Sequence, residues 1–377
     1  MRTFLLTLAF TLLSSTLLRA QEVTISDYTK VSDRYDLFVI GGGESGVFMG
    51  IGDDYYHNGF SNKQMIGYYD FRDREQKSKI VRPEKKSREY FYTFYFQDQL
   101  HLLQYDEQPS GNGQYGVYLE CYDQSLDRIG EEQNIGQFFP YIFNFEIGSF
   151  FQSYFSNQYG KMRRSFFFNH KTSTDQKKLA LLFNYNVFSQ AMSEFQVIVL
   201  DENKQVAWSD LVDLPDSKAS YRLLEDYAVS NDGILYMLMT TYDNKNFKKS
   251  AAGFKYSLYA YNPISQSVKA IDFATNDLFI INLGLELNLD QQPVLAGVYA
   301  DAMTNDILGG VRIQEGQCTT FAFGEAEVTE INTRQDKEYA EEYTVKNVIL
   351  EGDGSAIFFA ESYKRGPIIK PKLNWGG

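Results

Sequence analysis

An all-β chain built from similar antiparallel units is what this sequence predicts, and three observations predict it. Aromatic residues fill 16% of the 377 positions, as 28 Tyr and 30 Phe against 2 Trp, which favours pleated, half-buried surfaces over helices. Short extended runs recur, such as Glu89 to Phe96 (E-Y-F-Y-T-F-Y-F), Gln99 to Tyr105 (Q-L-H-L-L-Q-Y) and Ile234 to Tyr242 (I-L-Y-M-L-M-T-T-Y), each bounded by turn residues. Turns of two kinds alternate along the chain.

The first kind joins two apolar strands, at Glu44-Ser45-Gly46, Gln97-Asp98, Thr174-Asp175, Asn231-Asp232-Gly233, Leu289-Asp290 and Gly352-Asp353-Gly354. The second ends a strand on an apolar residue followed by a polar one, at Tyr69-Asp70, Tyr122-Asp123, Leu200-Asp201, Tyr261-Asn262 and Ile313-Gln314. Each second turn follows its first by 24 to 30 residues. Four strands with an inner and an outer hairpin give this pattern, and radial stacking of such units is a β-propeller. The expectation is therefore about six four-stranded antiparallel units in a single domain over residues 21–377. A large sandwich with the same punctuation is the competing architecture, because Asp and Gly mark turns in any β protein.

Both turn series lengthen between Asp123 and Asp175, which predicts an aromatic-rich insertion near residues 130–165. The sixth unit begins at Gly352-Asp353-Gly354, so it is either incomplete or completed by an amino-terminal strand around Glu22 to Val31. Helical patterns are weak. Thr333 to Glu342 and the charged stretch Arg72 to Arg88 are the two candidates, and both read as solvated connectors.

Residues Met1 to Ala20 carry Arg2, an apolar stretch from Phe4 to Leu18, and Arg19-Ala20-Gln21. This is the layout of a secretory signal cleaved after Ala20, and it predicts a secreted or periplasmic protein with no transmembrane segment after signal removal. The net charge of −13 disfavours general attraction to phosphate backbones, so nucleic acid is not an expected partner. Cys121 and Cys318 are 197 positions apart. In an exported protein they are free to pair, but two independent buried thiols are the favoured reading.

The segments Phe195-Gln196-Val197-Ile198-Val199-Leu200-Asp201-Glu202-Asn203 and Val229-Ser230-Asn231-Asp232-Gly233-Ile234-Leu235-Tyr236 resemble the blade pattern of exported bacterial β-propeller proteins of uncharacterised function. The similarity is clearest over residues 165–300 and fades toward both ends. It implies a fold and an exported location. It supplies no catalytic residues, since the shared motifs are turns.

Chemical motifs are few. Asp36 to Gly46 runs from an apolar strand into Gly41-x-Gly43-x-x-Gly46, similar to the start of a dinucleotide fold, but that motif needs a helix to follow, and Val47 to Tyr56 reads as extended. A hairpin turn explains it, and no cofactor is expected. His57, His101 and His170 have no metal-ligand spacing, so no metal is expected either, and His101 reads as a strand histidine on a polar face. Asp243-Asn244-Lys245-Asn246 lacks the glycine and distal glutamate of a calcium loop.

The candidate binding residues are aromatic. Phe150, Phe151 and Tyr154 in the insertion, and Tyr55, Tyr56 and His57 in a second loop, are placed to form a ligand surface over one rim. The role expected is non-enzymatic binding of a protein, peptide or glycan by propeller-rim loops. The alternative is a glycan-active hydrolase using two carboxylates in the central channel, which sequence cannot single out.

Overall fold

The computed structural model describes residues 36–52, 63–106, 114–138, 167–184, 194–215, 221–242, 254–303, 306–324, 342–350 and 356–363. They form strands and turns, with no helix among them. No helix among the described residues is long and apolar enough to cross a membrane.

Five sheets have four antiparallel strands each, and a sixth has two described strands. The first holds β1 (Asp36–Gly43), β2 (Gly46–Gly52), β3 (Gln64–Asp70) and β4 (Gln76–Val81). The second holds β5 (Arg88–Phe96), β6 (Gln99–Asp106), β7 (Tyr115–Tyr122) and β8 (Gln133–Phe138). The third holds β9 (Phe167–Thr172), β10 (Leu179–Asn184), β11 (Glu194–Leu200) and β12 (Val206–Asp213). The fourth holds β13 (Tyr221–Val229), β14 (Leu235–Tyr242), β15 (Phe254–Asn262) and β16 (Ser267–Ile271). The fifth holds β17 (Phe279–Leu287), β18 (Pro293–Ala300), β19 (Ile307–Gln314) and β20 (Gln317–Ala322), and the sixth β21 (Glu342–Leu350) and β22 (Ala356–Tyr363).

Strand order follows chain order within every sheet, the meander of a β-propeller blade. The first strand of each blade is innermost. β1 lies against β5, β9 against β13, β13 against β17 and β17 against β21, while Tyr92 of β5 meets His170 of β9. Five of the six turns of the first kind fall between the first and second strands of a blade, and all five of the second kind between the third and fourth; Gly352-Asp353-Gly354 lies outside the described residues.

The turns work by local chemistry. Asp70, Asp123, Asp201 and Asn262 each use Oδ1 to accept two backbone N–H bonds from the turn that follows, such as Asn203 N at 2.8 Å and Gln205 N at 2.9 Å on Asp201. The fifth outer hairpin instead has Glu315 and Gly316 at φ 50° and 76°, the left-handed pair that suits a two-residue connection.

The core lies between blades. The second strand of the second, third, fourth and fifth blades has a neighbouring blade on both faces, so it reads as a continuous apolar run. In β10, Leu179, Leu181 and Phe183 join Phe91, Phe94, Leu103 and Val117 of the second blade. Ala180 and Leu182 face the other way, onto Tyr227, Val229 and Met237 of the fourth. The outermost strands β4, β16 and β20 are exposed along most of their length.

The glycine-rich start is a hairpin, with Gly43 opposite Gly46 and no helix. Its glycines serve close approach. A Cβ on Gly41 would run into Tyr95 of β5, and one on Gly46 into the Tyr69 carbonyl. The stretch Arg72 to Arg88 contains no helix; it forms the edge strand β4, exposed at all but its last position, and enters β5. Of the other helical candidate, Thr333 to Glu342, only Glu342 is described, and it opens β21. Both cysteines are free and half-buried. Glu22 to Val31, most of the insertion and Asp243 to Asn246 lie outside the described residues.

Candidate functional site

Polar groups of the inner strands β9, β13 and β17 meet at one place. Inner strands carry β-bulges at Ile40, Phe91, Glu225, Ile281 and Lys346, where one extra residue stands against the second strand. A bulge bends its strand and re-aims the side chains beyond it. In β13, Leu224 packs toward the third blade. Without the bulge Asp226 would share that face. The extra Glu225 turns it to the other side, with Ala228, toward the fifth blade.

There Asp226 ties three blades together. Its Oδ1 takes the Lys171 ammonium of β9 at 2.7 Å, and its Oδ2 accepts the Leu285 N–H of β17 at 2.8 Å. Glu286 of β17 lies 3.7 Å from the same ammonium. Burial raises the Glu286 carboxyl above its ordinary range; Lys171 opposes that shift and the Asp226 charge adds to it. Two carboxylates thus share one cation, each side chain less than a third exposed.

A second polar layer lies in the inner turns of the same blades. The Gln291 amide donates to Thr174 Oγ1 at 2.7 Å, Thr174 donates to Asn231 Oδ1 at 3.0 Å, and the Asn231 N–H donates to Gln291 Oε1 at 2.8 Å. These three contacts form a closed triangle. The Gln97 amide of the second blade's turn joins it by donating to the Gln176 carbonyl.

Lys171→Met is expected to cost about 2 kcal/mol at pH 7, since it leaves two partly buried carboxylates sharing one site. That cost should shrink as pH falls and the Glu286 carboxyl, raised by burial, takes up its proton. Urea titrations at pH 7 and pH 4 check it.

The second blade buries polar side chains in pairs. His101 is fully buried, stacked on Phe94 with ring centroids 5.1 Å apart. This corrects the expectation of a polar-face histidine: β6 is a second strand, covered on both faces. The Phe96 carbonyl can only accept, so His101 Nε2, 2.9 Å away, carries the proton, and Nδ1 is left to take the Cys121 thiol at 3.2 Å. Burial lowers His101 to about 4 and raises Cys121 to about 11. His170, beside Tyr92 at 3.1 Å and Phe94 at 5.1 Å, is likewise lowered by burial to about 4. Glu120 is buried and accepts bonds of 2.9 Å from Tyr90 and Tyr122.

At the rim, Asp210, Leu211, Asp213, Leu214 and Pro215 of the third blade and Tyr261, Gln266 and Val268 of the fourth line a recess. Tyr261 donates to Asp210 Oδ2 at 2.7 Å and packs on Trp208, whose indole N–H reaches the Gly233 carbonyl at 3.1 Å.

Tyr55, Tyr56, His57, Phe150, Phe151 and Tyr154 lie outside the described residues. Sequence reasoning missed Lys171, Asp226 and Glu286. A signal existed, since Asp226 in L-L-E-D-Y-A-V and Glu286 in L-G-L-E-L interrupt apolar strands. Among the described residues no three His, Cys, Asp or Glu side chains are grouped to hold a metal.

No protein-family model and no curated protein matches the chain. Among solved structures it is similar to prolyl endopeptidases (10% identity, TM-score 0.44, 91% of this chain and 42% of that one). It is also similar to a GH43_1 enzyme from Xanthomonas citri (11%, 0.32, 87% and 92%) and to an apocarotenoid oxygenase mutant from Synechocystis (7%, 0.39, 84% and 64%). Likeness at TM-scores below 0.5 carries no argument about activity. The propeller stands on the strand pairing of this chain itself.

Proposed function

We propose that the chain is an exported binding scaffold that presents its rim to a protein, peptide or glycan. The observation that carries this reading is that the carboxylates Asp226 and Glu286 are already committed to Lys171 and, for Asp226, to backbone of the next blade. Groups so engaged tie blades together. An open concave surface among the described residues is the rim recess, where Asp213 is exposed beside Leu211. Its carboxylates favour ligands that donate hydrogen bonds, such as sugar hydroxyls or basic side chains. The amino-terminal pattern from Arg2 to Ala20 supports export.

A glycan-active hydrolase is the second reading, favoured by one observation: Glu286 is held above the ordinary carboxylate range beside Asp226. Glycan and peptide arrays, followed by a reducing-sugar assay on any glycan retained, separate the two. A scaffold retains a ligand without releasing product, and Asp213→Asn weakens retention while Glu286→Gln leaves it intact. Sugar release that Glu286→Gln abolishes establishes the hydrolase.

A further inference from the structure

We propose that the outer edge of the first blade binds a linear acidic polysaccharide. Residues 72–88 hold eight Lys or Arg against three Asp or Glu, in a chain with 36 against 49 overall. β4 is the free edge strand of its sheet, and Lys77 and Lys79 project on one face of it. Arg72 and Arg74 lie in the turn at its start. Arg82, Lys85 and Lys86 lie in the crossing that leads from its end to the innermost strand β5.

Arg72, Arg74, Lys77, Arg82, Lys85 and Lys86 are all exposed, and none forms an ion pair with another described residue. Neighbouring acids are partly spent. Asp127 pairs with Lys79 at 3.3 Å, Glu84 with Arg128, and Asp70 accepts the N–H groups of Arg72 and Asp73. Asp73 and Glu75 remain at the Arg72 end, so the Arg82 end has the greater excess of positive charge.

The strand is about 20 Å long at 3.3 Å per residue, so with its two flanking segments the cations form a stripe. A stripe suits a chain-like polyanion. The acidic remainder of the molecule repels any polyanion, and that repulsion is strongest for nucleic acid, with a charge about every 1.7 Å of duplex. A polysaccharide with one carboxylate per sugar has a sparser charge, and within a Debye length of about 8 Å the local stripe dominates. Phe71, 52% exposed and edge-on to Tyr69, offers an apolar face beside the Arg72 end for the C–H side of a sugar ring. Only Phe71 and Ile80 are large, apolar and exposed here, which is little to insert into a lipid surface.

The test uses the purified chain with polygalacturonate as probe, neutral dextran as control, and phosphatidylglycerol vesicles and duplex DNA as competitors. Binding to polygalacturonate at low salt that weakens steeply with added NaCl is expected. Two triple variants, Arg72→Gln/Arg74→Gln/Lys77→Gln and Arg82→Gln/Lys85→Gln/Lys86→Gln, should each weaken it about tenfold and flatten the salt slope. Lys255→Gln/Lys269→Gln on the fourth blade should leave it unchanged. Both triples alter exposed, unpaired side chains, and an unchanged melting curve shows that each is folded. Absence of binding by the wild-type chain, binding by both triples as tight as that of the wild-type chain, or tighter binding to vesicles or DNA overturns the proposal.

Discussion

Acidification from pH 6.5 to 4 should strip several kcal/mol from the stability of the folded chain. His101 and His170 are neutral in the fold, lowered by burial from 6.5 to about 4. In the unfolded chain both take up protons near 6.5. The unfolded state therefore binds more protons in this window, and stability falls as pH drops through it, levelling below about 4. Each ring contributes about 3 kcal/mol, from 1.36 kcal/mol per unit of pKa difference. Urea unfolding at pH 7 and pH 4.5 measures the loss, and His170→Gln, which cannot titrate, should remove roughly half of the slope. Imidazole resonances that titrate near 6.5 in the folded protein would contradict the assignment.

Phe183→Ala should destabilise by about 3–5 kcal/mol, the cost of emptying a large buried aromatic site. Phe183 is fully buried in β10, faces the second blade and meets Phe91 of β5 at 6.3 Å between ring centroids. The cavity opens between two sheets that are joined there by packing and not by strand hydrogen bonds, so neither sheet can close it alone. Leu211→Ala, 49% exposed on β12, should change stability by less than about 0.5 kcal/mol. Guanidinium titrations of the two variants give the contrast; similar losses would mean that the inter-blade layer is not the core.

Turns were legible in the sequence because their chemistry is local. Asp201 holds its own hairpin through Asn203 and Gln205, so nothing distant had to be known to place it. Central strands were legible for a related reason: apolar runs such as Leu179 to Phe183 follow from having a neighbour on both faces. The same rule accounts for His101, a polar residue inside such a run, which is buried because β6 is covered on both faces and not only on one. Lys171, Asp226 and Glu286 were not found because their meeting depends on radial placement. Residues 171 and 286 are far apart in sequence and belong to non-adjacent blades, and the bulge at Glu225 reverses the facing that simple alternation gives Asp226. Edge strand β4 reads as a connector in the sequence because five of its six positions are exposed and carry no apolar alternation.

The hydrogen-bonded triangle of Thr174, Asn231 and Gln291 fixes more than geometry. Its side from Thr174 to Gln291 skips a whole repeat, so it can close only when the number of modules between them is one. Duplicating or deleting the module that holds Asn231 cannot be absorbed by a small change in pitch, as it is in an open solenoid; the count itself is written into three short side chains.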